Sequence, residues 1–232
     1  MRNGPGVFIT FEGGEGAGKS TQLHALEFLL KACGQEVQVC REPGGTAVGE
    51  TVRKMLLGSG QGVLDERAEL LLFEAARAQL VSEVIAPALD AGKLVLCDRF
   101  TDSTLAYQGY GRGLDLGMVE VLNRFVTGGL EPDRTVLLEL DFRTGLARAR
   151  EVGGNRMEEA GEEFHRRVSE GFGQIARRFP RRIRTVRTCD DPARTCEDVI
   201  GAVSDLLDPQ LVDGLRAQLA ADPVGCFSRK GA

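Results

Sequence analysis

The sequence predicts an α/β fold in which a mainly parallel sheet carries helices on both faces. Apolar strand-like segments alternate with helical segments, the segment 93–97 is apolar after Lys93, and a glycine-rich loop joins the first strand to the first helix. In sheets of this kind, ligands bind beyond the carboxyl ends of the strands. We therefore expect the functional residues to follow the strands along one edge of the sheet.

The strands are predicted from short runs of branched and aromatic residues. The first run is Val7 to Phe11, and the third, Lys93 to Cys97, is typical of a strand buried on both sides. Four strands and a weaker fifth are predicted, at residues 7–11, 36–40, 93–97, 134–140 and 183–188.

The helices are predicted from apolar residues at helical spacing. Leu23, Leu26, Leu29 and Leu30 share one side of a helix that starts at Lys19. Further helices are predicted at residues 46–57, 66–91, 116–126, 158–179 (ended by Pro180) and 192–207. One domain is expected, and residues 209–232 are expected to add a helix and a loose tail.

Composition limits the function classes. The chain has 232 residues and a net charge of -5, so no overall basic field exists to bind polymeric nucleic acid. No apolar run reaches the ~18 residues that a membrane span needs, and no apolar signal segment precedes the first strand. The six cysteines lack paired spacing, so we expect reduced thiols and a cytoplasmic location.

The glycine-rich loop carries the strongest signal. Residues 13–20 fit the pattern G-x-x-x-x-G-K-[ST], whose backbone N–H groups surround phosphate while the next helix points its positive end at the anion. Four glycines, the Lys-Ser pair and the flanks favour this loop over a flexible connection. The expected ATP-binding residues are Gly13, Gly14, Glu15, Gly16, Ala17, Gly18, Lys19, Ser20 and Thr21. Lys19 adds a positive charge near the phosphates, and Ser20 is placed to bind Mg²⁺.

The residues after the second and third strands are weaker signals. Asp98 is a second candidate ligand for Mg²⁺, and Arg99 is a candidate for binding another phosphate; a capping Asp and a solvated Arg are the alternative. Arg53 follows the turn at residues 41–46 by two helical turns, and its spacing fits the cleft and the solvent equally well.

Two further patterns stay ambiguous on spacing alone. Phe73 and Arg77 share a helix face. This arrangement suits recognition of a nucleotide base by stacking and hydrogen bonding, but it is more typical of a core Phe with an exposed Arg. The arginines at 143–156 are by default on a solvated helix, although a glycine-containing segment rich in arginine also suits a lid that closes over a transferring phosphoryl group. The six arginines at 177–187 are interpreted as a solvated helix end.

Together these motifs resemble the thymidylate kinase family, which transfers the γ-phosphoryl group of ATP to dTMP. The resemblance covers about residues 7–207 and includes the runs at 11–20, 41–46, 73–77, 98–100 and 106–109. Phe100 departs from the Tyr or His common in the family. The resemblance implies a five-stranded nucleoside monophosphate kinase fold, a homodimer, a kinase domain at 1–208 and a lid at about 143–157.

The resemblance also implies residue roles. Glu15 would face the sugar 3′-hydroxyl, Phe73 would stack on thymine and Arg77 would bond its carbonyl. Gly16 indicates the bacterial subtype, whose catalytic arginines come from the lid, and the candidates are Arg148, Arg150 and Arg156. Lys19, Arg99 and Glu15 complete the catalytic set. The full dTMP set implied by the resemblance is Glu15, Pro43, Arg53, Phe73, Arg77, Arg99, Ser103, Thr104, Tyr107 and Gln108.

Two other function classes remain as alternatives. A kinase for another nucleoside monophosphate or a deoxynucleoside would share the loop but have a different base pocket. A regulatory switch that hydrolyses nucleotide slowly would need no second nucleotide pocket, so Arg99, Arg77 and Tyr107 argue against it.

Overall fold

Five parallel strands form one central sheet, as the sequence predicts. The computed structural model describes residues 6–58, 64–152, 157 and 160–228. The strands are β1 (Val7–Glu12), β2 (Val37–Arg41), β3 (Leu94–Asp98), β4 (Arg134–Glu139) and β5 (Ile183–Arg187). Their order across the sheet is β2-β3-β1-β4-β5, so β1 lies in the middle and ends where ligands bind in such sheets.

Helices connect the strands and cover both faces of the sheet. They are α1 (Lys19–Ala32), α2 (Ala47–Leu57), α3 (Glu66–Leu80), α4 (Ala86–Asp90), α5 (Thr101–Thr104), α6 (Leu116–Val126), α7 (Phe142–Val152), α8 (Glu162–Arg178), α9 (Pro192–Val203), α10 (Pro209–Ala221) and α11 (Gly225–Ser228). Wider π-helical turns at Val81–Ile85 and Leu105–Gly111 continue α3 into α4 and extend α5.

Alternating strand residues build the core on either side. Ile9 and Phe11 of β1 pack with α1, α9 and α10, whereas Phe8 packs on the opposite face with the residues of α3 and α4. Each of these three side chains is fully buried. This alternation is the period-two pattern of a sheet that is covered on both sides.

The helical segment 101–111 is absent from the sequence-based prediction, whereas α7 covers part of the segment 143–156 that was expected by default to be a solvated helix. The segment 101–111 is buried on all sides and contains two glycines, so it lacks the one-sided pattern that indicates a helix. Helix α7 is largely polar and has Gly145 in its first turn. At the end of the described chain, α10 and α11 pack on α1.

No helix within the described ranges combines the length and the apolar character that crossing a membrane requires.

Candidate active site

The glycine-rich loop lies between the end of β1 and the start of α1. Gly18 has a φ of 87°, which a residue with a side chain adopts at a cost. The Lys19 ammonium donates to the carbonyl oxygen of Gly14 at 2.7 Å, and the Thr188 hydroxyl donates to that of Ala17 at 2.9 Å. Burial, followed by the charge of Arg99, lowers the pKa of Lys19 to about 8, so Lys19 stays protonated at neutral pH.

A cavity of about 650 Å³ opens beside this loop, at the carboxyl edge of the sheet. It brings the loop together with residues that follow β2 and β3 and with one face of α3. Among the sequence-predicted residues, those lining it are Glu15, Gly16, Gly18, Lys19, Ser20, Thr21, Pro43, Arg53, Phe73, Arg77, Asp98, Arg99, Ser103, Thr104, Tyr107, Gln108 and Arg148. The spacing left the direction of Arg53 open; its guanidinium lies on the cavity side and donates to Pro43 O at 2.8 Å.

Several predicted residues lie elsewhere. Gly13 and Gly14 line a second cavity, of about 410 Å³, on the other side of the loop. Ala17 is buried beneath the loop, and Arg150 is exposed on α7 outside the set that lines the first cavity. Arg156 falls outside the described residues.

Two oxygen ligands meet at the start of α1. The Ser20 hydroxyl donates to Oδ2 of Asp98 at 2.5 Å. A hydroxyl and a carboxylate beside a phosphate loop are the donors that Mg²⁺ accepts, with water and substrate oxygens completing its coordination. The residues present therefore fit a magnesium ion.

Arg99 is held in one position by four contacts. Its Nη1 donates to Gly13 O at 3.0 Å and to the Ser103 hydroxyl at 3.1 Å, its Nη2 donates to Glu15 Oε1 at 3.1 Å, and its guanidinium lies 4.9 Å from the centre of the Tyr107 ring. Its backbone φ is 70°, in the left-handed region that side chains disfavour. Such strain is found where surrounding structure fixes a functional group.

Glu15 carries a negative charge at this edge. Burial alone would raise its pKa, but the charges of Arg99 and Lys19 and a hydrogen bond from the Tyr107 hydroxyl lower it to about 2. The Tyr107 oxygen lies 2.8 Å from Glu15 Oε1. Glu15 is thus an ionised acceptor at neutral pH.

Arg77 is buried in a polar network at the base of the cavity. Only 1% of its side chain is exposed, so an exposed arginine, the more typical interpretation of the spacing, is wrong. Its five N–H groups have protein acceptors within 3.2 Å, on Glu42, Glu74, Phe100, Thr104 and Asn123. Burial raises the pKa of Glu42 to about 7, although Arg77 opposes the shift. Any hydrogen bond that Arg77 donates to a ligand must therefore share or replace one of these five bonds.

Two other arginines, Arg148 and Arg182, make ion pairs with aspartates. On α7, Arg148 lines the cavity and its Nη2 lies 2.9 Å from Oδ1 of Asp190. Among the six arginines at 177–187, Arg182 is not a solvated residue, because it pairs with both oxygens of the buried Asp102, at 2.6 and 2.8 Å. The interpretation of that cluster as a solvated helix end is wrong at Arg182.

Helix α7 rests directly on the phosphate loop through two glycines. A Cβ on Gly16 would lie 2.1 Å from the carbonyl oxygen of Gly145, and a Cβ on Gly145 would lie 2.2 Å from that of Glu15. Both distances are far below van der Waals contact, so neither position accepts a side chain without movement of the backbone. This approach sets the start of α7 against the loop.

Glu12 is a fully buried carboxyl group immediately before the loop. It accepts hydrogen bonds from the Phe100 and Ser103 backbone N–H groups, at 2.8 and 3.2 Å, and from the Ser103 hydroxyl at 2.5 Å. Burial, and then the charge of Asp102, raises its pKa to about 7. Glu12 thus joins the end of β1 to the segment that begins at Arg99.

We expect Glu12→Gln to flatten the dependence of stability on pH. The folded protein holds the Glu12 proton up to about pH 7, whereas the unfolded chain releases it near the ordinary value of 4.5. This stabilisation is complete below pH 4.5 and is lost as pH rises through 7, with a slope of at most about 1.4 kcal/mol per pH unit. Melting temperatures of both proteins between pH 5 and 8 measure it.

The control for this measurement is Glu36→Gln, because the Glu36 side chain is 79% exposed. That variant should keep the wild-type slope. Glu42 contributes in the same direction, so Glu12→Gln removes only part of the dependence. Equal slopes for wild type and Glu12→Gln would contradict the assignment of a buried proton to Glu12.

Several residues at the site were not singled out in the sequence. No spacing pattern in the sequence marks four residues of the site individually; they are Glu12, Glu42, Gly145 and Thr188. Glu69 does carry a signal: it precedes Phe73 and Arg77 on α3 at successive spacings of four, so the three share one face.

One cleft thus combines a phosphate loop with a separate cationic pocket, lined by Arg99 and Arg53, beside a stacking surface. This combination defines a P-loop kinase that acts on a small phosphorylated substrate. The family model for thymidylate kinase matches residues 11–198. The chain belongs to the thymidylate kinase family, whose members phosphorylate dTMP with ATP in dTTP biosynthesis.

Individual relatives agree with this membership. A thymidylate kinase of Desulfovibrio desulfuricans is 50% identical over 84% of this chain and 91% of its own length. One from Gloeobacter violaceus is 50% identical over 85% of this chain and 94% of its own. The crystal structure of thymidylate kinase from Ehrlichia chaffeensis superposes with a TM-score of 0.72, at 40% identity, over 86% of this chain and all of that one.

Proposed function

We propose that the cleft beside the glycine-rich loop transfers the γ-phosphoryl group of ATP directly to the phosphate of dTMP, giving dTDP and ADP. The carrying observation is that one cavity is lined both by Lys19 and Ser20 of the loop and by Arg99, Arg53 and the other residues of a second phosphate pocket. Two anions must approach each other in this reaction, so charge neutralisation and alignment are the main tasks of the protein.

On the donor side, the loop from Gly13 to Thr21 surrounds the ATP phosphates, and Lys19 adds a point charge. Ser20 and Asp98 would hold Mg²⁺, and the ion would supply further positive charge against the ATP phosphates. The 2.5 Å contact between the two side chains supports this pairing.

On the acceptor side, Arg99 binds the dTMP phosphate with the help of Arg53. Phe73 stacks on thymine and Arg77 donates to its carbonyl, sharing or replacing one of its present bonds. Glu15, as an ionised acceptor, receives the 3′-hydroxyl. The remaining residues line the base and sugar pocket; they are Pro43, Ser103, Thr104, Tyr107 and Gln108.

The lid is proposed to be the segment at about 143–157, within a kinase domain of residues 1–208 followed by an extension at 209–232. Its arginines Arg148, Arg150 and Arg156 are the candidates for contacting the transferring group. The place of Arg148 on the cavity wall supports it among the three.

A coupled assay of ADP release, with and without dTMP, tests this function. We expect release to depend on the monophosphate, and in a panel of dTMP, dUMP, dCMP, dGMP and thymidine we expect dTMP to have the highest kcat/KM. Preference for another member of the panel would indicate a different kinase. Slow phosphate release that is independent of any monophosphate would indicate a regulatory switch.

We also propose a homodimer in the cytoplasm. Met118, Val121 and Phe125 form an apolar stripe on the exposed side of α6, which packs against α3, and Phe125 is 80% exposed. Contiguous exposed apolar surface of this kind marks protein interfaces. A second copy of the chain is the occupant that the family resemblance implies.

Phe125→Glu should therefore convert the dimer into monomers, because a charge placed in an apolar interface loses its hydration. Light scattering coupled to gel filtration should give twice the chain mass of 25.1 kDa for wild type and the single mass for the variant. Val224→Glu, at another exposed apolar residue, is the matched control and should stay dimeric. A monomeric wild type would refute the dimer.

A further inference from the structure

Glu69 is a buried carboxylate that faces the base pocket from behind. It lies on α3, one turn before Phe73, and its side chain is 1% exposed. It accepts hydrogen bonds from Nε2 of Gln108 at 2.9 Å and from Nε and Nη2 of Arg112, both at 3.1 Å.

The Gln108 amide is the group that Glu69 orients. An ionised carboxylate only accepts hydrogen bonds, so the NH₂ end of the amide must turn to it and the oxygen must turn away. Gln108 lines the main cavity. Among the described residues, none donates a hydrogen bond to its Oε1. This oxygen is also not completely enclosed by protein, so a ligand can reach it. The geometry leaves a hydrogen-bond acceptor at the cavity wall.

Arg112 stabilises this orientation of the Gln108 amide through its ion pair with Glu69. A guanidinium carries donors and no acceptor, so its ion pair with Glu69 keeps both carboxylate oxygens as acceptors. Arg112 is itself held, with its guanidinium 4.5 Å from the centre of the Phe164 ring and Nη2 3.9 Å from the sulfur of Met157. Rotation of the Gln108 amide by 180° would place its oxygen against carboxylate oxygens that already accept from Arg112.

We infer that Glu69 is a positioning residue for base specificity, which holds Gln108 so that its oxygen accepts the N3–H of an imide base. This inference rests on the proposed function. Thymine and uracil present a donor at N3, whereas cytosine presents a lone pair there, which would face the Gln108 oxygen unpaired. A site built around such a hydrogen bond rejects the analogue that lacks the donor far more strongly than an apolar pocket would.

The experiment compares kcat/KM for dTMP, dUMP and dCMP in wild type, Glu69→Gln and Glu66→Gln. Glu66 is exposed one turn earlier on α3, so its variant is the matched control. In Glu69→Gln the new amide can offer either a donor or an acceptor, which frees Gln108 to turn. We expect the preference of wild type for dUMP over dCMP to fall about tenfold or more, and the ratio of dTMP to dUMP to stay unchanged, since both bases carry N3–H.

The outcomes separate the inference from the proposed function. Loss of activity on all three substrates by the same factor, with the dUMP to dCMP ratio intact, would mean that Glu69 only supports the fold and would overturn the inference. Should Glu69→Gln not fold, Arg112→Gln takes its place, because it removes the ion pair that keeps both Glu69 oxygens as acceptors; an unchanged ratio of dUMP to dCMP in that variant would overturn the inference. Failure of wild type to phosphorylate dTMP would instead remove the proposed function.

Discussion

Replacing Lys19 with methionine is expected to lower the turnover number by a factor of about 10²–10³. Lys19 is buried beside the cavity, and its ammonium is positioned by Gly14 O at 2.7 Å. Methionine keeps an unbranched chain of similar length but has no charge, so the variant isolates electrostatic stabilisation of the transferring phosphoryl group. Because the backbone N–H groups of the loop remain, the loss should fall mainly on kcat. Coupled measurement of ADP release at saturating dTMP gives the value.

Lys31→Met is the matched control for this experiment. Lys31 lies in the last turn of the same helix, is exposed and pairs with Glu27 on the helix surface, so its variant should keep wild-type turnover. Near-normal turnover of Lys19→Met would exclude the glycine-rich loop as the site of phosphoryl transfer.

The second large effect is expected from Gly145→Ala, a change of one methyl group outside the substrate pocket. The new Cβ would lie 2.2 Å from the carbonyl oxygen of Glu15, which belongs to the backbone and cannot rotate away. Either α7 must lift or the phosphate loop must move, and both displace groups that need alignment to within a fraction of an ångström. We expect kcat/KM to fall by about 10²-fold and the melting temperature to fall as well.

Gly201→Ala provides the contrast. Gly201 lies in the helix α9, and apart from that helix no atom of the described residues is within 4 Å of the position of a Cβ, so alanine there should stabilise the protein by about 0.5–1 kcal/mol and leave turnover unchanged. Comparison of the two variants separates the effect of the close backbone contact at Gly145 from the general effect of alanine on helix stability. Wild-type activity of Gly145→Ala would show that the contact between α7 and the loop does not matter for transfer.

The overall architecture was predictable because it depends on local patterns. Segments such as 93–97 and α6 have apolar spacing that fits one type of element, and the order of elements then restricts the sheet. The helix at 101–111 was missed because packing from every side removes the amphipathic pattern. The phosphate loop was found because its chemistry requires glycines at fixed positions in the chain.

The rest of the site depends on residues that are distant in sequence. Arg77 looked like an exposed residue, and only the fold shows that Glu42 and Asn123 enclose it from 35 and 46 positions away. The same holds for Gly16 and Gly145, whose approach has no local signature. Spacing within one helix could suggest that Glu69 shares a face with Phe73, but not that it meets Gln108.

At Arg99 the backbone is strained, whereas the side chain makes several stabilising contacts. Glycine relieves the conformational cost of a positive φ, on the order of 1 kcal/mol, but it removes the guanidinium that is proposed to receive the acceptor phosphate. Glycine would also leave the mostly buried carboxylate of Glu15 without its ion-pair partner, which costs more than the strain that it relieves, so libraries screened for thermal tolerance should keep arginine at position 99. Stabilised variants of this chain are better sought at positions whose backbone is already relaxed.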